Sequence, residues 1–279
     1  MIITCWGSRG SIPVSGKDFV KYGGDTTCIE IQTESGDIII IDAGTGIREL
    51  GNRLIKEPPK PFHLLLTHAH WDHLIGFPFF KPLYSDHQQI VLHTGPFTAK
   101  GLQRILSYTM MAPHFPVPFS RISAQLEYRA TPAKAFHIGA LTIVPIPIRH
   151  PNSGYGYKLM ENGKTFVFLT DNELGFTHPT GLSTQAYINF CTGADLLIHD
   201  AEYTPEEYEK AVGWGHSVYT DALNLAENAG VGTLGLFHLN QDRTDRQMDD
   251  VVKKARHRIT EKGHQFECLA VGCGSRFEL

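Results

Sequence analysis

The densest group of reactive side chains occupies six residues near the end of the first quarter of the chain. Residues 68–73 contain four side chains that can bind a metal ion: His68, His70, Asp72 and His73. Imidazole nitrogens combined with a carboxylate oxygen suit Zn²⁺, and also Fe or Mn. The segment follows the apolar run Phe62–Leu66, and a strand end followed by a turn can direct closely spaced side chains at one centre. A polar loop that holds three histidines by chance is the alternative, and the density of the cluster argues against it.

Three more side chains that can bind metal follow apolar, strand-like runs further along the chain: His150, Asp171 and His238. Each of them alone would be an ordinary capping or solvent-facing group. With the first four they make seven, which is too many ligands for one tetrahedral ion and about right for two. Because a carboxylate can bridge two ions, Asp171 is the natural shared ligand. The sequence therefore predicts two divalent metal ions, with zinc foremost and manganese or iron as alternatives.

The elements that must position these side chains are short strands in the first half and alternating strands and helices in the second. Cys28–Thr33 and Asp37–Ile41, joined by a tight turn, predict a hairpin. Pro145 and Pro147 predict that the strand beginning at Leu141 ends there or lies at a sheet edge. Periodicity alone supports an α/β fold with a large mixed sheet. The distribution of elements suggests two sheets packed face to face and covered by helices.

Three polar residues predict helix starts in the second half of the chain. Thr204 and Thr244 each open a capping-box pattern, with Glu207 and Gln247 three residues later. Ser217 is expected to cap a third helix and to direct its backbone N–H groups toward an anion.

Length and composition limit the class of protein. The chain has 279 residues, and we expect a single domain over residues 1–279. The formal net charge is −4 and no long run of Lys or Arg occurs, which argues against a long nucleic acid as substrate. Five cysteines without a C-x-x-C pair indicate free thiols in a reducing compartment. Because we find no leader segment and no apolar run of membrane length, we expect a cytoplasmic protein.

Residues 68–73 match the H-x-H-x-D-H signature of the metallo-β-lactamase fold superfamily. The remaining motif positions of that superfamily fall in the same order along this chain: Asp42, His150, Asp171 and His238. The resemblance implies an αββα sandwich of two mixed β-sheets flanked by helices, with the metal ions at the edge between the sheets. Asp42 is not a ligand in the superfamily, and the resemblance implies that it organises the loops beneath the site.

The resemblance also implies how the ligands divide between the two ions. One ion would be held by three histidines: His68, His70 and His150. The other would be held by one aspartate and two histidines: Asp72, His73 and His238. Asp171 would bridge the two ions.

Two further segments resemble the tRNA 3′-processing endonuclease group of the superfamily. The stretch from Asp195 to Glu202 is similar to its H-E-A-T motif, with Asp200 in place of the Glu, and Gly215–Ser217 is similar to its G-H-S segment. The resemblance implies that Asp200 orients His216, and that His216 contacts the scissile phosphate and protonates the leaving oxygen. With the ligand Asp72, this pair makes up the predicted catalytic residues.

Substrate size is predicted from one spacing. In the tRNA-processing group, a long arm that grips tRNA is inserted between the third histidine and the bridging aspartate, whereas here His150 and Asp171 are only about twenty residues apart. The chain is more similar to compact relatives such as the phosphonate-pathway cyclic phosphodiesterase, also in Trp6–Ser11 and Tyr22–Thr27. We expect a small cyclic or nucleotide phosphodiester rather than a long nucleic acid, and no membrane partner. A homodimer is left open.

The predicted activity is that of a dinuclear metal-dependent phosphodiesterase, in which a hydroxide shared by the two ions attacks phosphorus. His114, in the Pro-rich segment Met110–Pro118, is predicted to contact substrate, with an ordinary surface loop as an equal alternative. Four other classes stay open. They are a lactone or thioester hydrolase of the same fold, a tRNA 3′-end endonuclease, a mononuclear iron oxygenase and a non-enzymatic metal-binding module.

Overall fold

Two seven-stranded sheets pack face to face in the computed structural model, which describes residues 1–279. In chain order the strands are β1 Ile2–Gly7, β2 Cys28–Gln32, β3 Ile38–Ile41, β4 Phe62–Leu65, β5 Gln89–His93, β6 Gln125–Arg129, β7 Phe136–Ile138, β8 Leu141–Pro147, β9 Tyr155–Glu161, β10 Lys164–Leu169, β11 Leu196–Asp200, β12 Thr233–Phe237, β13 Glu267–Ala270 and β14 Arg276–Glu278. The helices are α1 Ile47–Leu54, α2 Trp71–Leu74, α3 Ala99–Thr109, α4 Thr184–Cys191, α5 Pro205–Tyr208, α6 Tyr219–Ala229 and α7 Asp245–Glu261. The expected αββα sandwich is confirmed.

Both sheets are mixed and share one pattern of strand directions. The first has the order β14-β1-β2-β3-β4-β5-β6 and the second the order β13-β12-β11-β10-β9-β8-β7. Strands β3 to β6 run parallel to one another, as do β10 to β13, and every other pair is antiparallel. In parallel sheets, binding residues collect on the loops that follow the carboxyl ends of the strands.

The continuous apolar run of β3 shows why these strands are buried on both faces. Ile39 and Ile41 lie in the core between the two sheets, together with Phe166 and Phe168 of the facing sheet. Ile38 and Ile40 point the other way and pack with residues of α1 and α3. Because side chains alternate along a strand, a strand with a covered face on each side needs apolar residues at every position.

The predicted capping boxes of α5 and α7 are both present. Thr204 accepts a hydrogen bond from the backbone N–H of Glu207 at 3.4 Å, and the Glu207 carboxylate accepts one from the Thr204 N–H at 2.7 Å. Thr244 and Gln247 make the same reciprocal pair at 3.3 and 2.8 Å.

The predicted cap at Ser217 is wrong. Helix α6 begins at Tyr219, after Val218, and no side chain caps it. The Ser217 hydroxyl instead donates to the carbonyl of Asn172 at 2.6 Å and accepts from the N–H of Leu174 at 3.0 Å. Ser217 therefore ties two loops together, and it does not direct the N-terminus of α6 at an anion.

The two prolines of β8 lie in the part of that strand that no longer pairs with β7. The strand continues to Pro147, but β7 pairs only with its first three residues, up to Ile143. Beyond Ile143 the outer side of β8 is an edge, where a residue without a backbone N–H costs no ladder hydrogen bond. The expected edge is present, and the strand does not stop at Pro145.

No helix of the structure combines the length and the hydrophobicity that crossing a bilayer would require.

Candidate metal centre

The seven predicted ligands meet at one edge of the sandwich, on loops that follow strand ends. Four come from the segment between β4 and the end of α2: His68, His70, Asp72 and His73. Three come from the ends of strands in the second sheet: His150 after β8, Asp171 after β10 and His238 after β12. All of them are buried except His70, which is half-buried.

Their ligand atoms fall into two groups that share one carboxylate. The first group contains His68, His70, His150 and Asp171. The second contains Asp72, His73, His238 and Asp171. Within each group the atoms lie within 4.8 Å of one another. Asp171 Oδ1 is 3.5 Å from His68 Nε2, and Asp171 Oδ2 is 3.2 Å from His73 Nε2. This is the arrangement expected of two neighbouring cation sites with a shared aspartate.

Three residues at the centre adopt a backbone conformation that L-amino acids rarely use. The φ angles of Asp42, Asp171 and His238 are 63°, 53° and 56°. Each lies one or two residues beyond the end of a strand, where this φ turns the chain sharply. Such conformations cost about 1–3 kcal/mol each and persist where the surrounding structure holds them, often at functional sites.

Unpartnered buried atoms provide the test of whether these residues fit metal ions. His68 Nε2, His73 Nε2 and Asp171 Oδ1 are buried and make no hydrogen bond. Buried polar atoms are nearly always paired, so three orphans around one point require an explanation. Divalent cations supply it, because imidazole nitrogen and carboxylate oxygen are their ordinary ligands. The residues present therefore fit a pair of divalent metal ions.

Hydrogen bonds on the side away from the centre fix the orientation of three of the histidines. His73 Nδ1 lies 2.8 Å from Asp42 Oδ2, and His238 Nδ1 lies 2.9 Å from Glu202 Oε2. His150 Nδ1 lies 3.1 Å from the carbonyl oxygen of Gly215. Each acceptor holds the N–H on Nδ1 and leaves the Nε2 lone pair facing the centre, as outer partners of metal-binding histidines do.

His70 is turned the other way. Its Nδ1 faces the centre, 3.0 Å from His150 Nε2, and its Nε2 lies 2.9 Å from the side-chain amide of Asn152.

Asp42 also accepts from the backbone N–H of Thr67 at 2.8 Å, so it joins β3 to the loop that carries the first ligand.

Two glycines allow backbone to pass directly against ligand histidines. A Cβ on Gly10 would lie 2.3 Å from His238 Nδ1, and one on Gly215 would lie 2.1 Å from His150 Nδ1. Gly215 also has a φ of 101°, which disfavours any side chain. No other residue fits at either position without displacing a ligand.

Burial and nearby carboxylates act in opposite directions on the protonation of the ligands. Burial lowers the pKa of His68 well below its ordinary value. Burial also disfavours the charged form of His73 and His238, but the carboxylates around them, Asp171 first, outweigh it and raise both pKa values well above the ordinary value. Carboxylates that attract protons here also attract divalent cations, and the two compete for the same nitrogens.

The predicted pair of Asp200 and His216 is in contact beside the second group. His216 Nδ1 lies 2.8 Å from Asp200 Oδ2, so the shorter aspartate still reaches the imidazole. Asp200 is held in place by the backbone N–H groups of Ser217 at 2.9 Å and Asp171 at 3.1 Å. Burial lowers the pKa of His216, but the Glu202 and Asp200 carboxylates outweigh it and raise the pKa to about 9.

The free side of His216 borders a cavity of about 540 Å³. Its ring stacks on the ligand His238 with centroids 4.4 Å apart, and Nε2 makes no hydrogen bond. The cavity wall also includes Ser11 and Trp214, and the backbone N–H of Ser11 donates to the ligand Asp72 at 2.9 Å. A group placed in this cavity would meet His216 beside the second cluster of ligands.

His114 is not brought to the ligand clusters. It lies on an exposed turn and lines a second cavity, of about 370 Å³, together with Ala69 and Trp71 of the metal-binding segment. The predicted contact between His114 and substrate would therefore be made in this second cavity.

Two carboxylates that support the site were not singled out in the sequence. Glu202, two residues after Asp200, holds the ligand His238. Glu173, two residues after Asp171, is completely buried and holds the loop that carries His216. Each glutamate follows an aspartate at a strand end by two positions, and this spacing was visible in the sequence.

Glu173 accepts four short hydrogen bonds. The backbone N–H groups of Gly213 and Gly215 donate to it at 2.6 and 2.7 Å. The Tyr208 hydroxyl and His178 Nε2 lie 2.6 and 2.7 Å from its oxygens. Glu173, two positions after the shared Asp171, thus holds the loop of residues 209–217 in place.

Comparison with known proteins gives the class. The family model described as the beta-lactamase superfamily domain matches residues 38–239, which span the ligands from His68 to His238. The chain belongs to this superfamily and has the metallo-β-lactamase fold. It is a metal-dependent hydrolase.

Individual relatives are distant and extend over nearly the whole chain. Ribonuclease Z of Haloarcula marismortui is 25% identical over 299 residues, covering 92% of this chain and 91% of that protein. The crystal structure of a diphosphatase from the PhnP family is similar with a TM-score of 0.69 and 20% identity, covering 100% of this chain and 97% of that one. Zinc-bound PqqB from Methylobacterium extorquens is similar with a TM-score of 0.72 and 15% identity, covering 100% of both chains. The two structural similarities establish the fold.

Proposed function

We propose that this protein hydrolyses a small phosphodiester. The observation that carries the proposal is the placement of His216, held by Asp200 on one side and open to a cavity on the other, directly against the ligand His238. A proton donor beside two clusters of metal ligands is the arrangement that cleavage of a phosphate ester needs.

Seven side chains would hold two divalent cations, which would neutralise charge on the phosphate and lower the pKa of a water molecule. His68, His70 and His150 would hold one ion and Asp72, His73 and His238 the other, with Asp171 shared. Outer partners keep the histidine nitrogens aimed at this centre, and Asp200 keeps His216 Nε2 aimed at the cavity. His216 then contacts the phosphate and delivers a proton to the leaving oxygen.

Two observations favour a phosphodiester over other esters as the substrate. His216 is paired with Asp200, and a relative that aligns along nearly the whole chain is named ribonuclease Z. A small substrate is supported by the segment between His150 and Asp171. That segment forms the turn Pro151–Asn152, strands β9 and β10 and the turn Asn162–Gly163, and no arm extends from it. The acidic net charge of −4 also disfavours a long nucleic acid.

The test compares turnover of a 2′,3′-cyclic nucleotide and of bis(p-nitrophenyl) phosphate with turnover of lactone and thioester panels and of a precursor tRNA. We expect turnover of the phosphodiesters. His216→Ala should keep both metal ions and lose about 10²–10⁴-fold on the cyclic nucleotide, whose poor leaving group needs a proton.

A matched control is His257→Ala, at an exposed histidine on α7, which should keep full activity. Turnover of lactones or thioesters alone would reject the proposal. Cleavage of precursor tRNA alone would replace it with the endonuclease alternative. Unchanged turnover by the His216 variant would remove that residue from the reaction.

A further inference from the structure

The second cavity shares its wall with the metal-binding segment. Its volume is about 370 Å³, at the lower end of the range of about 300–1,000 Å³ for small-molecule sites. Ala69 and Trp71 line it, and they alternate along the chain with the ligands His68, His70 and Asp72. The cavity therefore adjoins the backbone of the segment that carries four of the seven candidate ligands.

The chemistry of the cavity differs from that of the cavity beside His216. Seven of its nine lining residues are hydrophobic, and none is a lysine, arginine, aspartate or glutamate. Nine of the twelve residues that line the cavity beside His216 are polar or charged, and they include the carboxylates of Glu206 and Asp242; Trp214 is its one large exposed apolar side chain. Apart from the imidazole of His114, the second cavity offers no side chain that could carry a positive charge to bind a phosphate, and its apolar lining suits an uncharged group.

Three large apolar side chains at this cavity are exposed to solvent. Trp71, Tyr108 and Met111 are 69%, 50% and 48% exposed, and they are three of the twelve large hydrophobic residues exposed on the whole molecule. A concentration of such side chains around one concave surface indicates a binding site, because leaving it in water is unfavourable.

The geometry points to a subsite in this cavity for the ester group that stays on the phosphate, and to an uncharged aromatic ring as that group. This inference rests on the proposed function. His216 lines the other cavity and protonates the leaving alcohol there, so the leaving group occupies that side. The remaining ester group lies toward Trp71, Tyr108 and Met111, whose faces suit a flat ring of the size of a phenyl group or a nucleobase.

The test measures binding, so that it does not depend on turnover. Phenyl phosphate and methyl phosphate are monoesters of the kind that remain after the alcohol leaves. Titration calorimetry on the zinc-loaded full chain should give phenyl phosphate an affinity at least about tenfold higher, because a ring buries more apolar area than a methyl group.

Met111→Ala and Tyr108→Ala should each reduce this ratio of affinities to less than about threefold. Trp71 is left unchanged because it lies between two ligands. Ile55→Ala is the matched control, at a hydrophobic residue 44% exposed just beyond α1 and outside the cavity, and it should keep the ratio.

Equal affinities in the unaltered protein, binding of neither monoester, or a ratio that survives in both variants would each overturn the subsite. Failure to hydrolyse any phosphodiester would instead overturn the proposed function. Preferential binding of the phenyl ester, lost in both variants, would support the subsite whatever the turnover.

Discussion

Asp171 is the residue through which the two ligand clusters are joined. It belongs to both groups, its φ of 53° aims the carboxylate between them, and its Oδ2 accepts a hydrogen bond from Thr170 at 2.6 Å. Its Oδ1 is buried without a partner. A single side chain with these contacts cannot be replaced from elsewhere in the site.

Asp171→Ala should therefore lower the metal content of the purified protein from two ions per chain to one or none. The remaining ligands lose their shared carboxylate and are left as two incomplete sets. Elemental analysis by mass spectrometry after dialysis measures the content. Asp86→Ala, at an exposed aspartate beside His87, is the control and should retain both ions. Two ions in the Asp171 variant would contradict the bridging role.

At the residue scale, the convergence of the seven candidate ligands could be predicted from the sequence because a metal site needs particular side-chain types at strand ends. The roles of the supporting carboxylates Glu173 and Glu202 could not, although their spacing from Asp171 and Asp200 was visible, because most of their partners lie 35 to 42 positions away along the chain. His114 was predicted from its type in a Pro-rich loop, and such a signal carries no information about distance from the ligands.

The element that carries His216 is a loop without regular structure, and its position depends on Glu173. The glycine N–H groups bound by Glu173 flank Trp214, and the carbonyl of Gly215 meets the ligand His150. One buried carboxylate therefore sets the position of a loop that contacts a metal ligand and supplies the proposed proton donor. Glu173 is a positioning residue in this account.

Glu173→Gln should impair proton donation more than metal binding. The amide cannot accept from all four donors, so the loop shifts and His216 moves relative to the leaving oxygen. We expect a loss in kcat of about 10-fold or more on the cyclic nucleotide, a part of the 10²–10⁴-fold that a general acid typically contributes. On bis(p-nitrophenyl) phosphate, whose leaving group needs little protonation, the loss should be several times smaller.

His178→Phe, which removes one of the four donors and keeps an aromatic ring, should show the same pattern more weakly. A role in folding alone would lower both activities equally and reduce metal content, and that result would rule out positioning. Glu267→Gln, at an exposed residue of β13, is the matched control.

At the element scale, strands with dense apolar runs and helices with capping boxes were predictable from local sequence. Helices α2, α3 and α4 and strands β7, β13 and β14 were not predicted. β14 has only three residues and pairs with β1, so that Ile2 faces Glu278 across nearly the whole chain length. The predicted cap at Ser217 was wrong for the opposite reason. The local sequence favours a cap, but contacts with a distant loop determine the role of this residue.

At the scale of the whole molecule, the site lies at the edge where the two sheets meet, and a buried histidine lies at a separate contact between the sheets. His93 of β5 is buried, stacks on Phe136 of the facing sheet and lies 3.1 Å from His63 of β4. Burial, reinforced by the charges of His63 and Arg129, lowers the pKa of His93 to about 4. The folded protein therefore keeps this imidazole neutral at a pH at which the unfolded chain protonates it.

Stability should fall as the pH falls from about 6.5, the pKa of an unfolded histidine, toward the folded value of about 4. Below 6.5 the unfolded chain binds a proton that the folded one does not. His93→Gln removes this contribution, so the variant should lose less free energy of unfolding between pH 7 and 5, by on the order of 1–2 kcal/mol.

Urea unfolding of the metal-free proteins at both pH values measures this difference. Removing the metals prevents their release at low pH from entering the comparison. The variant His87→Gln, at an exposed histidine outside this contact, should follow the unaltered protein. Parallel pH dependence of the His93 variant and the unaltered protein would contradict the assignment.

At the scale of the whole molecule, periodicity alone supported an α/β fold with a large mixed sheet. The distribution of elements suggested two sheets packed face to face, and the resemblance carried by residues 68–73 implied the same αββα sandwich. The pairing of fourteen strands depends on contacts between distant segments, which periodicity does not encode. A single domain, a cytoplasmic location and a small phosphodiester substrate stay predictions.

The central claim is that seven side chains hold two cations around one shared aspartate. The most direct test is a crystal structure of the protein grown with zinc or manganese, with anomalous diffraction recorded at the absorption edge of the metal. We expect two anomalous peaks about 3.5–4 Å apart. One should be bound by His68, His70 and His150 and the other by Asp72, His73 and His238, with Asp171 between them. A single peak, or ligands turned away from the peaks, would contradict the account.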